Sequence, residues 1–218
     1  VKREYKIPAV LLILTVLYGS LFYAARQNKN ITGQKEGNGK IVVDSRMTLS
    51  EAVEGIDIPP EIKKTLTLVE VRYYSFDGEL HSGQLLINRE LAKEAAEIFS
   101  EIEKNRFPLK SVIPVSKFNW DDETSMRANN SSAFNYRLVK GTRKLSAHSN
   151  GRAIDINPLQ NPQIKRGKTL PLGAVYNKNA AGTITPGSFI VKAFKKRGWQ
   201  WGGEWHSSKD YQHFEKPR

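Results

Sequence analysis

The sequence predicts an α+β fold, a small and mainly antiparallel sheet with flanking helices, preceded by one N-terminal apolar helix. Three observations carry this reading. Strand and helix signals come in blocks rather than in alternation, which disfavours a parallel α/β sheet. A hairpin signal from Thr67 to Ile87 runs directly into an amphipathic helix signal from Arg89 to Lys104. The run Ile7 to Ala25, IPAVLLILTVLYGSLFYAA, carries no charge at all.

That run is just long enough to cross a bilayer, which takes roughly 20 apolar residues. Lys2, Arg3 and Lys6 precede it, as in an export signal. A cleavage site would set Phe22 or Tyr23 at the −3 position, where a small residue is wanted, so an uncleaved anchor is favoured over a cleaved signal. Residues 1–26 are therefore expected to be a membrane anchor or signal. Residues 27–40, polar and rich in Gly and Asn, are expected to be a flexible tether, and residues 41–218 a single domain.

Within that domain, Thr67 to Tyr74 is rich in strand formers, Asp77-Gly78 marks the turn, and Gln84 to Ile87 returns. Asn88 can cap the next helix, whose Leu91, Ala95, Ile98 and Ile102 recur at three- and four-residue steps. Val112 to Val115 and Ala133 to Val139 read as strands, and Asp121 to Ser132 as loop. Ala153 to Asn157 alternates, with Ile154 and Ile156 on one face and Ala153, Asp155 and Asn157 on the other. Asn161 to Pro186 is a long insertion with several Pro and Gly, and Ser188 to Lys196 is a helix closed by Gly198. Ile41 to Ile58 fits neither pattern.

Composition removes several kinds of chemistry. There is no cysteine, so disulfides, thiolate metal sites, a cysteine nucleophile and a lipoprotein anchor are excluded. The formal net charge of +12 suits a polyanionic partner such as a cell wall or an anionic lipid surface. No basic tract interleaved with aromatics and no helix-turn-helix or zinc-finger spacing accompanies that charge, so nucleic acid is not expected as a partner.

Four histidines exist, His81, His148, His206 and His213. His148 and Asp155 lie in SAHSNGRAID, where Gly151 permits a tight approach before the strand. A carboxylate on the polar face of an otherwise apolar strand is costly unless paired, and a metal would pair it. His213 follows a WQWGGEW cluster and stands three residues after Asp210. Either element alone is equally compatible with a hydrogen-bonded core pair. Together, two histidines and one carboxylate form a set that leaves zinc's fourth position open for water. Asp210 is then the candidate proton acceptor, with Glu204 and Glu215 as alternative carboxylates. His81 is read as a solvent-facing strand residue and the tryptophans chiefly as core.

The S-x-H-x-x-G-x-A-x-D element and the terminal D-x-x-H-F element, with W-G-G ahead of it, resemble the zinc D-Ala-D-Ala carboxypeptidases and L-alanyl-D-glutamate endopeptidases of the M15 group. Ser125-Met126, NNSSAFNYR at 129–137 and DINP at 155–158 extend the likeness. The resemblance implies a DD-peptidase-like domain with His148, Asp155 and His213 as zinc ligands, Asp210 as general base and Arg137 polarising the scissile carbonyl, Arg143 being the competing choice. Ser146 is expected to hydrogen-bond near the first ligand, and Trp201 and His206 to approach substrate. The implied substrate is a peptidoglycan stem peptide, cut as by a D-Ala-D-Ala carboxypeptidase. An L-alanyl-D-glutamate endopeptidase or a non-catalytic zinc-containing wall-binding module are the rivals. That substrate implies a domain held on the outer side of the cytoplasmic membrane.

Overall fold

The computed structural model describes residues 40–218, which form one compact unit. The expected anchor and almost all of the tether lie outside these residues. Among the described residues no helix is long and apolar enough to cross a membrane.

The elements in chain order are β1 (Val42–Val43), α1 (Leu49–Ala52), α2 (Pro60–Lys63), β2 (Leu66–Tyr74), β3 (Leu80–Asn88), α3 (Ala92–Lys104), β4 (Ser111–Val112), α4 (Asp122–Arg127), β5 (Asn130–Ser131), β6 (Ala153–Asp155), β7 (Gln163–Lys165), β8 (Lys168–Leu170), α5 (Phe189–Lys195), β9 (Gln200–Trp201), β10 (Lys209–Asp210) and β11 (His213–Glu215). The α+β class holds, but the single sheet expected from sequence is divided into four small ones, ordered β1-β3-β2, β10-β7-β8, β6-β11-β9 and β4-β5.

The β2–β3 hairpin is the frame. Its register runs unbroken from Leu66 opposite Asn88 to Tyr74 opposite Leu80. Period-2 alternation sends Val69, Val71, Tyr73, Leu85 and Ile87 to one face, where they pack with Ile98, Phe99 and Ile102 of α3 and with Ile154, Trp201 and Phe214. Leu66 and Leu86 go to the other face, onto Ala52, Val53, Ile58 and Phe134. The ambiguous stretch after Ile41 is thus the cover of the hairpin's back. It is anchored by the parallel pairing of β1 with β3 and by a capping box between Thr48 and Glu51 on α1.

Asn88 caps the next segment as expected, its side chain accepting from the Glu90 N–H at 3.1 Å, although the first turn, Arg89–Leu91, is 3₁₀ before α3 begins. Two expectations fail locally. The segment read as loop holds α4, whose N-cap Asp121 accepts from the Thr124 N–H at 2.7 Å. The segment 133–139 is not a strand. Its backbone is taken up by the His148 turn, with Asn135 N–H bonded to the His148 carbonyl and Arg137 N–H to Ser149 Oγ.

Candidate active site

In the β6–β11 ladder His213 stands opposite Asp155, Phe214 opposite Ile154 and Glu215 opposite Ala153. Directly opposed residues share a face. The register alone therefore puts His213 and Asp155 side by side and sends Phe214 and Ile154 together into the core. Asp155 is held from its other edge by Ser132, with which it exchanges two backbone hydrogen bonds of 2.8 and 3.0 Å.

His148 arrives on a 3₁₀ turn, Ala147–Asn150. Ser146 starts that turn, its Oγ accepting from the His148 N–H at 3.3 Å. Gly151 ends it at φ 61°, and a Cβ there would lie 2.5 Å from the Asn88 nitrogen. Glycine is what lets this turn press against the end of β3.

The three side chains converge. His148 Nε2 and His213 Nδ1 are 3.2 Å apart, His213 Nδ1 is 3.0 Å from Asp155 Oδ1, and His148 Nε2 is 3.3 Å from Asp155 Oδ2. All three residues are buried, and one ligand atom from each lies within 4.8 Å of the others. The outer nitrogens are already committed. His148 Nδ1 bonds to the Ala133 carbonyl, and His213 Nε2 faces Glu215 Oε2 at 3.1 Å. Protons placed outward in this way turn both inner nitrogens toward one point.

Burial alone would lower the His213 pKa, but the hydrogen bonds to Asp155 and Glu215 outweigh it and push it up to about 10. Burial likewise works to raise Asp155, yet the charges and hydrogen bonds of His148 and His213 hold it well below the ordinary carboxylate range. Two imidazole nitrogens and a carboxylate oxygen aimed at one buried point fit a divalent metal, and a His₂Asp set suits zinc with an open position.

The triad lies in a cleft of ≈ 400 Å³ that Asp210, Arg137, Gln163, Lys140, Lys165 and Trp205 also line. Asp210 is buried. Its Oδ2 accepts from Gln163 Nε2 at 2.6 Å, and its Oδ1 has no hydrogen-bond partner among the described residues. Burial pushes its carboxyl up to about 6, against the lowering effect of charge on His213. Arg137 lines the same cleft, Nη2 3.0 Å from Asp122 Oδ2, while Asn135 Nδ2 donates to the other oxygen of Asp122 at 3.1 Å. Arg143 is exposed and does not line the cleft.

Two residues expected near substrate lie elsewhere. Trp201 is a core residue, 1% exposed, with Nε1 donating to the Tyr211 carbonyl at 2.9 Å. Its alternation partner on the core face is Phe214, so it cannot also face the cleft. Trp205 takes the wall instead, its ring centroid 5.2 Å from that of His213. His206 is exposed and outside the cleft lining. Ser146 is buried, and its bond is to the backbone of His148 rather than to a ligand atom. The sequence reading did not single out Gln163 or Asp122, and it took Trp205 with Trp199 and Trp201 chiefly as core, with a cleft wall as the other reading. The signal available for Glu215 was its place two residues from His213 on one strand face.

The W-G-G segment also acquires a reason. A Cβ on Gly202 would lie 2.6 Å from the Asp210 carbonyl oxygen and 3.3 Å from His213 Cβ, and one on Gly203 would lie 2.3 Å from the Trp201 ring. These glycines let β10 and β11, which carry Asp210 and His213, lie close against the turn that follows Trp201.

Residues 140–216 match the family model for D-alanyl-D-alanine carboxypeptidase, a span that contains His148, Asp155, Asp210 and His213 and begins just after Arg137. No curated protein and no solved structure matches the chain. Over residues 140–216 the chain is similar to the M15 peptidases, and the match supports a peptidase of that kind.

Proposed function

We propose that the protein hydrolyses an amide bond in peptidoglycan stem peptides with the help of zinc, as a D-alanyl-D-alanine carboxypeptidase. The observation that carries the reading is the convergence of His148, Asp155 and His213 beside a buried Asp210 in one cleft. Zinc held by those three residues would supply Lewis acidity, making water a nucleophile near neutral pH. Asp210 is the proton acceptor for the attacking water and afterwards the donor to the leaving amine. A carboxyl pushed up to about 6 is matched to both tasks.

Arg137, paired with Asp122, would stabilise the oxyanion that develops on the carbonyl. Lys140 and Lys165 line the same cleft and would meet the terminal carboxylate that a carboxypeptidase must recognise. Tethering outside the cytoplasmic membrane by the run 7–25 is the location this substrate calls for.

Purified muropeptides incubated with the wild type and with Asp210→Ala test the reading by mass spectrometry. Loss of one terminal alanine with the wild type alone is expected. A cut inside the stem would make the enzyme an L-alanyl-D-glutamate endopeptidase, and intact substrate with both proteins would leave a wall-binding module.

A further inference from the structure

The insertion 161–186 enters the active site. Its first part is the β7–β8 hairpin, closed by the two-residue turn Arg166-Gly167 with both φ values positive, 50° and 73°. Such a turn fixes the hairpin's register, here Lys165 opposite Lys168. The outer edge of β7 then pairs with β10 and sets Gln163 directly opposite Asp210. Cross-strand partners share a face, which is how the Gln163 amide reaches the Asp210 carboxylate.

The rest of the insertion is tied down on both sides of this contact. Asn161 Nδ2 donates to the Ile156 carbonyl at 3.1 Å and the Gly182 carbonyl at 2.9 Å, and its Oδ1 accepts from the Ile184 N–H at 2.7 Å. Tyr176 stacks on Tyr211, the neighbour of Asp210, with ring centroids 3.6 Å apart.

We propose that Gln163 is a positioning residue for Asp210, its amide holding Oδ2 so that Oδ1 is the oxygen left to take the proton. The role rests on the peptidase reading above. A carboxylate free to rotate would offer either oxygen in many directions. One anchored by a neutral donor offers a single lone-pair face and stays a base. A lysine in this place would pair with the charge and quench it, and an acid would compete for the proton. Glutamine is the residue that orients without doing either, and the insertion exists in this fold at the place that delivers it.

Gln163→Leu and Gln163→Glu, each loaded with zinc, test the proposal. Glutamate keeps the chain length and the strand pairing, so it separates loss of the donor from loss of the hairpin. The expected result with muropeptide substrate is a kcat lower by about 10–100-fold in both variants, the scale on which such supporting contacts act. KM and zinc stoichiometry stay near the wild-type values, and the acid limb of the kcat profile moves to higher pH because a donor to the ionised carboxylate is gone. Wild-type kcat and an unmoved limb in both variants would overturn the proposal, as would loss of zinc together with activity.

Crystal structures of zinc-loaded wild type and Gln163→Leu read the same point without turnover. A rotated Asp210 carboxylate in the variant supports positioning, and an unchanged one refutes it. A wild type that leaves every muropeptide intact sinks the peptidase reading, while the crystallographic comparison still decides the role of Gln163.

Discussion

Two histidine–carboxylate clusters occur in this domain, built from the same residue types with opposite geometry. At the first, His81 Nδ1 bonds to Asp44 Oδ2 at 2.8 Å and Nε2 to Asp77 Oδ2 at 3.0 Å, while the Tyr73 hydroxyl donates to the same Asp44 oxygen. Each nitrogen has its own acceptor, and the cluster is closed. It fastens the residue after β1 to the β2–β3 hairpin. At the second, the outer nitrogens of His148 and His213 are occupied by Ala133 and Glu215, and the inner ones meet Asp155 at one point. Direction, not composition, separates a clasp from a candidate metal site. His81, read from sequence as solvent-facing, is in fact buried, because Asp44 and Asp77 satisfy it.

The comparison breaks first under metal analysis. Asp155→Ala or His213→Ala should lose bound zinc and all hydrolysis, whereas His81→Ala should bind zinc as the wild type does. Zinc loss from His81→Ala would show that the two clusters are one system. Binding should also release a proton, because the metal displaces the one that His213 holds up to about 10 in its absence. Zinc affinity should therefore fall as pH falls, and calorimetry in buffers of different ionisation enthalpy would read the proton directly.

Asp210→Asn comes next in size. Zinc should be retained and kcat should drop by about 10²–10⁴-fold, the range for a lost general base. Stability should move the other way. The folded pKa of Asp210, about 6, lies above the ordinary carboxylate value of 3.8. Its stabilising contribution is therefore full below about pH 3.8 and lost as pH rises through about 6. At neutral pH the ionised, buried carboxylate costs on the order of 2–3 kcal/mol, which the amide removes. A higher Tm with almost no turnover is the expected signature, read by thermal unfolding of the metal-free proteins. In the wild type, turnover should fall as pH drops through about 6 or below, since a bound dication favours the ionised form.

The sequence made one half of the centre legible. Alternation in Ala153 to Asn157 separates Asp155 from Ile154 and Ile156, and that separation is what the structure builds. The register that sets His213 opposite Asp155 could not be read, because it depends on pairing between segments 58 residues apart. The Gln163 contact was hidden for the same reason, although Arg166-Gly167 is a readable two-residue turn. Strand propensity in 133–139 lost to side-chain and backbone acceptors on the His148 turn. Trp201 and Trp205 look alike in sequence, and it is the pairing of Trp201 with Phe214 that assigns the first to the core.

Gly202→Ala probes how tightly the candidate metal site is built. A methyl group 2.6 Å from the Asp210 carbonyl must move β10. Overpacking of this kind costs about 1–3 kcal/mol, and the displaced Asp210 should lower kcat more than it lowers zinc content. Equal losses in both would mean that the strand moves His213 as well.

The smallest effect belongs to the closed cluster. His81→Gln should leave zinc content and kcat unchanged and lower stability by about 1–3 kcal/mol, the scale of hydrogen bonds to charged groups. For a domain of this size that is a Tm loss of roughly 2–4 °C per kcal/mol. Asp44 would keep the Tyr73 hydroxyl, so the loss should be partial, and Asp44→Asn combined with His81→Gln should cost less than the sum of the two single changes. Additive losses would mean that the imidazole and the phenol act on Asp44 independently, and the clasp would then be two contacts rather than one.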